Sequence, residues 1–291
     1  MSSQVQSGEI KAQEGEIMQH QQWPPEGIKW YYSDDAVAIA HGDCRDVLPS
    51  LEPSAIDLVV TSPPFNAGME YEIGIWETLA DYREWLGVSM NALWSVVASG
   101  AWVTCEIQDL HVSPEHSHAY PRQKEQFNMA TSAYMTVAML NAGWYYKGEV
   151  IWDRGRWMND MAGKMACAPG SPALLVQHSK VLFFRKPGGR KGVYQFPEQD
   201  NTWKARWCRS IWTGVQPAHH PNHPAVMPLA MAYALIQGWS LPLSTILDPF
   251  CGSGTTLRAA KYLGRKAIGI EIEEKYCEIA ANRCRQMVME L

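Results

Sequence analysis

The sequence predicts an α/β fold, a mixed and mostly parallel sheet covered by helices on both faces, with its elements in permuted order along the chain. Three observations predict this. Short apolar runs of strand type alternate with segments whose apolar residues recur at helical spacing, the pattern left by helices that cross between parallel strands. That alternation breaks between Asp153 and about Thr213, in a stretch rich in Gly, Pro, Arg and Trp that marks an inserted lobe. The most regular unit comes last: a strand, a glycine-rich turn, a helix, a strand and a second helix over residues 244–289. Two strands cannot form a viable sheet alone, so strands far upstream must complete it.

Residues 1–28 are polar, lack a sustained period and read as a mobile tail. Ala36–Ala40 is a short apolar run that ends at His41-Gly42-Asp43, and Ile56–Val60 is a buried-type strand running directly into Thr61-Ser62-Pro63-Pro64. Leu79 to about Ser99 carries apolar residues at helical spacing, and Ala101–Ile107 is a strand. Phe127–Asn141 reads as a helix closed by Gly143, followed by strands at Trp144–Trp152 and Lys180–Arg185. Met227–Trp239 is helix-like and leads back to the core. The last unit places strands at Ser244–Asp248 and Lys266–Glu271, with helices at Thr255–Leu263 and from Glu273 to about Met289.

Of the 291 residues, 46% are hydrophobic, enough for one large core carrying an inserted lobe. No apolar run is long enough to span a membrane and the first residues lack a signal-peptide pattern, so a soluble, cytoplasmic protein is expected. Seven scattered cysteines form no C-x-x-C pair, which argues against a disulfide framework and a zinc site. His219, His220 and His223 lack acidic or cysteine partners at ligand spacing, so no metal is expected there either. The net charge of -5 is unevenly spread: residues 1–150 sum to -13, residues 151–215 to +7 and residues 216–291 to +1. A basic block within an acidic chain suits a polyanion, because phosphate contacts need Lys and Arg; a solvated charged lobe is the competing account.

Two turns carry the chemistry. Asp248-Pro249-Phe250-Cys251-Gly252-Ser253-Gly254 follows a strand and, at Thr255, opens a helix, where open α/β sheets bind ligands. It has neither the G-x-G-x-x-G pattern nor a P-loop lysine, so it suits a cofactor without phosphates. Glu271 ends the next strand, 17 residues beyond Gly254, where a carboxylate can accept from a ribose diol. Thr61-Ser62-Pro63-Pro64-Phe65-Asn66 also leaves the carboxyl end of a strand. Its prolines remove backbone donors and leave carbonyls to accept, and Phe65 offers an aromatic face. A flipped nucleobase fits that set, stacked on Phe65 with its amino group donating to the Ser62 hydroxyl and the Pro63 carbonyl.

TSPPFN followed far downstream by DPFCGSGTT resembles the beta-class amino-group DNA methyltransferases, over roughly Ala36 to the last residues. The resemblance implies a Rossmann-like, S-adenosylmethionine-dependent methyltransferase fold with circularly permuted motifs, a seven-stranded sheet and an inserted recognition lobe. It divides the chain into a catalytic half (29–153), a DNA target-recognition region (154–213) and a cofactor-binding half (214–291). Ser62, Pro63, Pro64 and Phe65 then match the catalytic loop. Asp43, Thr61, the Asp248–Thr255 turn and Glu271 match the cofactor site, with Tyr276 following the ribose-binding acid. His223-Pro224-Ala225, in a segment where Met227 replaces the usual Phe, matches the part beside the cofactor's methionine end. Double-stranded DNA is the implied partner. Arg154, Arg156, Trp157, Lys164, Arg190, Lys191, Lys204, Arg206 and Arg209 are candidate DNA contacts, and Trp203, Trp207 and Trp212 interleave with them.

The serine heading the proline loop, together with H-P-A, is the usual cytosine-N4 version, and the same chemistry on adenine N6 is the alternative. A C5-cytosine enzyme needs a nucleophilic cysteine after a proline, and the sequence has no Pro-Cys pair. An RNA or small-molecule methyltransferase fits the basic lobe and motif order less well. An inert DNA-binding protein with a remnant fold would have no use for an intact Ser62, Gly252, Gly254 and Glu271.

Overall fold

Five strands, adjacent in space and parallel, form the middle of the sheet: β2 (Val37–His41), β13 (Lys266–Glu271), β12 (Thr245–Asp248), β3 (Ile56–Thr61) and β4 (Val97–Ile107). The last unit of the chain therefore inserts between two strands of its first half, which is the predicted permutation. The computed structural model describes residues 22–66, 76, 78–112, 127–155, 176–189, 201–220 and 223–286. β1 (Trp30–Ser33) pairs antiparallel with β2 at one edge. At the other, β8 (His178–Arg185) runs antiparallel to β4, β7 (Tyr145–Asp153) antiparallel to β8, and β9 (Ile211–Trp212) parallel to β7.

Among the described residues the sheet thus has nine strands and not seven. The two extra strands are its edges. β1 is four residues with no alternation, and β9 is a two-residue pairing too short to leave a periodic signal. Two short ribbons stand apart from it, β5 (Leu110–Val112) with β6 (Phe127–Met129), and β10 (Ala218–His220) with β11 (His223–Val226). The helix expected over Phe127–Asn141 splits accordingly: its first three residues are β6, and the helix itself, α3, is Thr131–Asn141.

Burial on both faces explains the continuous apolar strands. Leu58 and Val60 of β3 pack into a core with α5 (Leu229–Trp239), α6 (Thr255–Tyr262) and α7 (Glu274–Arg285). Val59 faces the opposite core, built with α2 (Leu79–Val96) and α3. α2 starts at a reciprocal capping box, the Thr78 hydroxyl accepting from the Asp81 N–H and the Asp81 carboxylate from the Thr78 N–H. Lys186 fixes its other end by donating to the carbonyls of Trp94 and Val97.

The segment expected to be a mobile tail is docked from residue 22. The Trp23 indole donates to the Asp34 carbonyl at 2.8 Å, Lys266 sits 4.6 Å from the Trp23 ring centroid, and Trp30 donates to the Pro25 carbonyl. Residues 1–21 lie outside the described part.

Gly254 joins the glycine turn to α6 in the left-handed region (φ +78°), and a Cβ there would lie 2.8 Å from the Ala280 Cβ of α7. Gly254→Ala is expected to lower the unfolding free energy by about 1–3 kcal/mol, measured by urea denaturation.

Candidate active site

Parallel pairing brings the carboxyl ends of β2, β13, β12 and β3 to one edge, and the chain turns to opposite sides after β12 and β3, which makes a crevice between them. The crevice holds a cavity of about 220 Å³. Asp43, Ser62–Phe65, Asp248–Ser253, Thr255 and Glu271 line it, so both turns singled out in the sequence meet there.

Thr61 and Gly254 are not in the lining. The Thr61 side chain is buried and its hydroxyl donates to Asp248 Oδ1 at 2.7 Å, a bond that ties the end of β3 to the end of β12. The glycine at 254 is required by contact with α7. The backbone of His223-Pro224-Ala225 forms β11, and their side chains lie outside the described part; Val226 and Met227, next in sequence, do line the cavity.

At the glycine turn the Gly252 N–H donates to Glu271 Oε2 at 2.8 Å, and the Glu273 N–H donates to Oε1 at 2.9 Å. Each carboxylate oxygen keeps a second lone pair toward the cavity, enough to accept from a ribose diol. Burial pushes the Glu271 carboxyl up to about 7 against these two backbone bonds. Burial likewise pushes Asp248 up to about 6, opposed by hydrogen bonds from Thr61 and the Phe250 N–H and by the nearby Thr256 hydroxyl. Asp43 caps α1 (Cys44–Val47) and is held below the usual carboxylate range by the Arg45 side chain, whose Nη2 lies 2.6 Å away. Among the described residues Arg45 is the one Lys or Arg in the lining.

At the proline loop the Ser62 hydroxyl donates to Glu106 Oε2 at 2.6 Å. Its single proton is thereby committed, and its lone pairs are turned outward as acceptors. Glu106 is buried on β4, and sequence reasoning missed it because it is one acid within an apolar strand. Burial raises its carboxyl above the ordinary value, opposed by the bond from Ser62, by the nearby Ser179 hydroxyl and by the charge of Arg154. The Tyr82 hydroxyl on α2 donates to the Pro64 carbonyl at 3.0 Å and anchors the loop from behind. Trp76 and Trp85 complete the wall, with ring centroids 4.9 Å apart and Trp85 5.4 Å from Phe250. These too were missed; their signal is the aromatic spacing just before and within α2.

The basic region divides. Arg156, Trp157, Lys164, Arg190 and Lys191 lie outside the described residues. Arg154 turns inward, its Nη1 donating to Gln108 Oε1 at 2.5 Å and its guanidinium 5.3 Å from the Trp152 ring. Lys204 and Arg206 on α4 (Asn201–Trp207), with Arg209 just after it, are exposed. The interleaved tryptophans face the other way: Trp207 and Trp212 are buried at 4.9 Å from each other, and Trp203 packs beside Trp239. At these three positions lobe packing, and not base contact, accounts for the tryptophan.

Residues 56–282 match the N6/N4 DNA methylase family model. Among curated relatives, the type II methyltransferase M.ScaI of Streptomyces caespitosus is 28% identical over 88% of this chain and 83% of its own. M.SmaI of Serratia marcescens is 27% identical over 83% and 88% respectively. Among solved structures, a DNA modification methylase of Thermus thermophilus, in complex with S-adenosyl-L-methionine, superposes with a TM-score of 0.69 at 25% identity, covering 87% of this chain and 95% of that one. The cytosine-N4-specific PvuII DNA methyltransferase shares the fold, with a TM-score of 0.68 at 18% identity over 91% of each chain.

Two buried acids with raised folded-state values make ligand-free stability depend on pH. Their contribution is fully present below about 4, near the ordinary values of 3.8 and 4.5, and is lost as pH rises through about 6 for Asp248 and about 7 for Glu271. Chemical unfolding of the ligand-free protein at pH 5 and pH 8, values that bracket about 6 and about 7, is expected to show a smaller loss for Glu271→Gln than for the unsubstituted chain.

Proposed function

We propose that this chain, which belongs to the N6/N4 DNA methylase family, transfers a methyl group from S-adenosylmethionine to the N4 amino group of a cytosine swung out of double-stranded DNA. The observation that carries the reading is the Ser62 hydroxyl, presented at the cavity with its proton committed to Glu106.

The donor set of the crevice suits the cofactor. Asp43, Asp248 and Glu271 line it, and the basic side chain there, Arg45, is already paired with Asp43. An acid-rich cavity favours a ligand that carries a sulfonium and an ammonium group. Glu271 would take the ribose hydroxyls, Asp43 the adenine end, and the Asp248–Thr255 turn with His223-Pro224-Ala225 the methionine end. Bound there, S-adenosylmethionine supplies an electrophilic methyl group.

The remaining work falls to the proline loop. Phe65 stacks the flipped base, and the Ser62 oxygen and Pro63 carbonyl accept its two amino protons. Accepting those hydrogen bonds makes the nitrogen lone pair available to attack in line, with no covalent bond between enzyme and base. Positioning provides most of the acceleration. Pro64, held by Tyr82, keeps the two acceptors in place. The serine head of the loop favours cytosine N4 over adenine N6. Lys204, Arg206 and Arg209 would contact the phosphate backbone, because they stay exposed while the tryptophans between them face inward; Arg156, Lys164, Arg190 and Lys191 would add to them by charge.

Ser62→Ala is expected to lower turnover on the order of 100-fold while leaving S-adenosylmethionine affinity within about 2-fold. Labelled methyl transfer to plasmid DNA followed by nucleoside mass spectrometry tests the base: N4-methylcytosine is expected, N6-methyladenine would overturn the cytosine reading, and 5-methylcytosine the mechanism.

A further inference from the structure

The carboxylate behind Ser62 has no part in the reading above beyond taking one hydroxyl proton in a hydrogen bond. Its setting is unusual. Glu106 is 6% exposed, sits on a strand whose neighbours are apolar, and is one residue from the end of β4, flush with the proline loop. A buried carboxylate is costly unless something uses or compensates it. One group bonds it and two more act on it from nearby. The Ser62 hydroxyl comes from the loop after β3, the Ser179 hydroxyl from β8, and the positive charge from Arg154 at the end of β7. Lys180, next to Ser179, points to the other side of β8 and pairs with Asp109 at 3.5 Å. Gln108, two residues on, holds the Arg154 guanidinium in place.

We propose that Glu106 is the acceptor of the proton released by methyl transfer, reached through Ser62, and that Arg154 is its fixed counter-ion; the inference rests on the amino-methyltransferase reading and holds for either base. When the nitrogen–carbon bond forms, the methyl's bond to sulfur breaks and its electron pair stays on sulfur. The amino nitrogen is left cationic with one proton too many. That proton passes to the Ser62 oxygen as the hydroxyl's own proton crosses 2.6 Å to Glu106 Oε2. One positive charge and one carboxylate charge disappear together, so no net charge is created in the buried site. Afterwards the carboxylic acid returns its proton to solvent when the product base leaves and the loop is open to water.

The placement of Arg154 gives the pair a further consequence. It stands at the junction between β7 and the basic region, yet its Nη1 donates to Gln108, and its charge acts on the Glu106 carboxylate. It acts on the reaction through Glu106 and is a positioning residue.

Single-turnover methylation of cognate DNA by the full chain, followed against pH, tests this. Glu106→Gln keeps an oxygen that can accept from Ser62 but cannot take the proton. It is expected to slow the step on the order of 100-fold and to remove the acidic limb of the profile, with Glu106→Asp restoring part of both. S-adenosylmethionine and DNA affinities, measured separately, are expected to stay within about 2-fold. An infrared difference spectrum of the first turnover is expected to show a protonated carboxyl signal that Glu106→Gln lacks. Arg154→Gln is expected to move the acidic limb to higher pH, because the carboxyl then holds its proton more tightly without the cation. An unchanged profile for Glu106→Gln overturns the proton path. A weakened, more salt-sensitive DNA affinity with an unmoved limb for Arg154→Gln overturns the counter-ion role. A wild-type protein that methylates no amino group in DNA overturns the functional reading itself, and that outcome is separate from the other two.

Discussion

The hydrogen bond from the Thr61 hydroxyl to the Asp248 carboxylate joins residues 187 apart in sequence, at the ends of the two strands between which the sheet changes direction. Both partners are buried. With its other bond, from the Phe250 N–H, Asp248 fixes the start of the glycine turn to the start of the proline loop. Everything the site does requires those two turns in a constant relation, since a methyl group on one side must meet an amino nitrogen on the other. The motif pattern makes Thr61 a candidate cofactor contact. Its place in the structure gives it a different task, holding the cofactor half and the catalytic half in register.

The middle of the sheet and the crevice were legible in the sequence because they depend on local chemistry. A parallel strand buried on both faces needs a continuous apolar run, and the turns at its carboxyl end need glycine, proline or an acid at set places. Ile56–Val60, Lys266–Glu271 and the two turns carry such signals, and each forms where expected. The edges leave none. Ile211–Trp212 becomes a strand only because β7 offers an open side, and Trp30–Ser33 only because β2 does.

The site was legible in its first layer and not in the groups behind it. Ser62 and Glu271 sit in recognisable motifs, whereas Glu106, Tyr82 and Arg154 matter through contacts across the fold, 44 residues from Ser62 in one case and 18 from Pro64 in another. Local reading also misplaced the tryptophans. Interleaving Trp with Arg along the chain suggests a mixed surface, but on α4 and the turn after it the two kinds of side chain separate, Trp203 and Trp207 toward the core, Arg206 and Arg209 toward solvent. Amphipathicity decides the matter, because the large apolar rings gain more from burial against Trp212 and Trp239 than from exposure.

Three buried acids, two lining the crevice and one behind it, follow one physical rule with different outcomes. Burial alone pushes Glu106, Asp248 and Glu271 toward the neutral form, and each is given hydrogen-bond donors that resist it. For Asp248 and Glu271 the donors are a hydroxyl at the end of the neighbouring strand and backbone N–H groups of the turns, and a cationic ligand in the cavity would add to them. Glu106 instead faces the serine that meets the substrate, and its cation, Arg154, belongs to the protein. A carboxylate poised by a permanent counter-ion stays ready to take a proton whether or not cofactor is present. The same bond that poises it orients the Ser62 lone pairs, so one buried acid provides the alignment before the reaction and the proton acceptor after it.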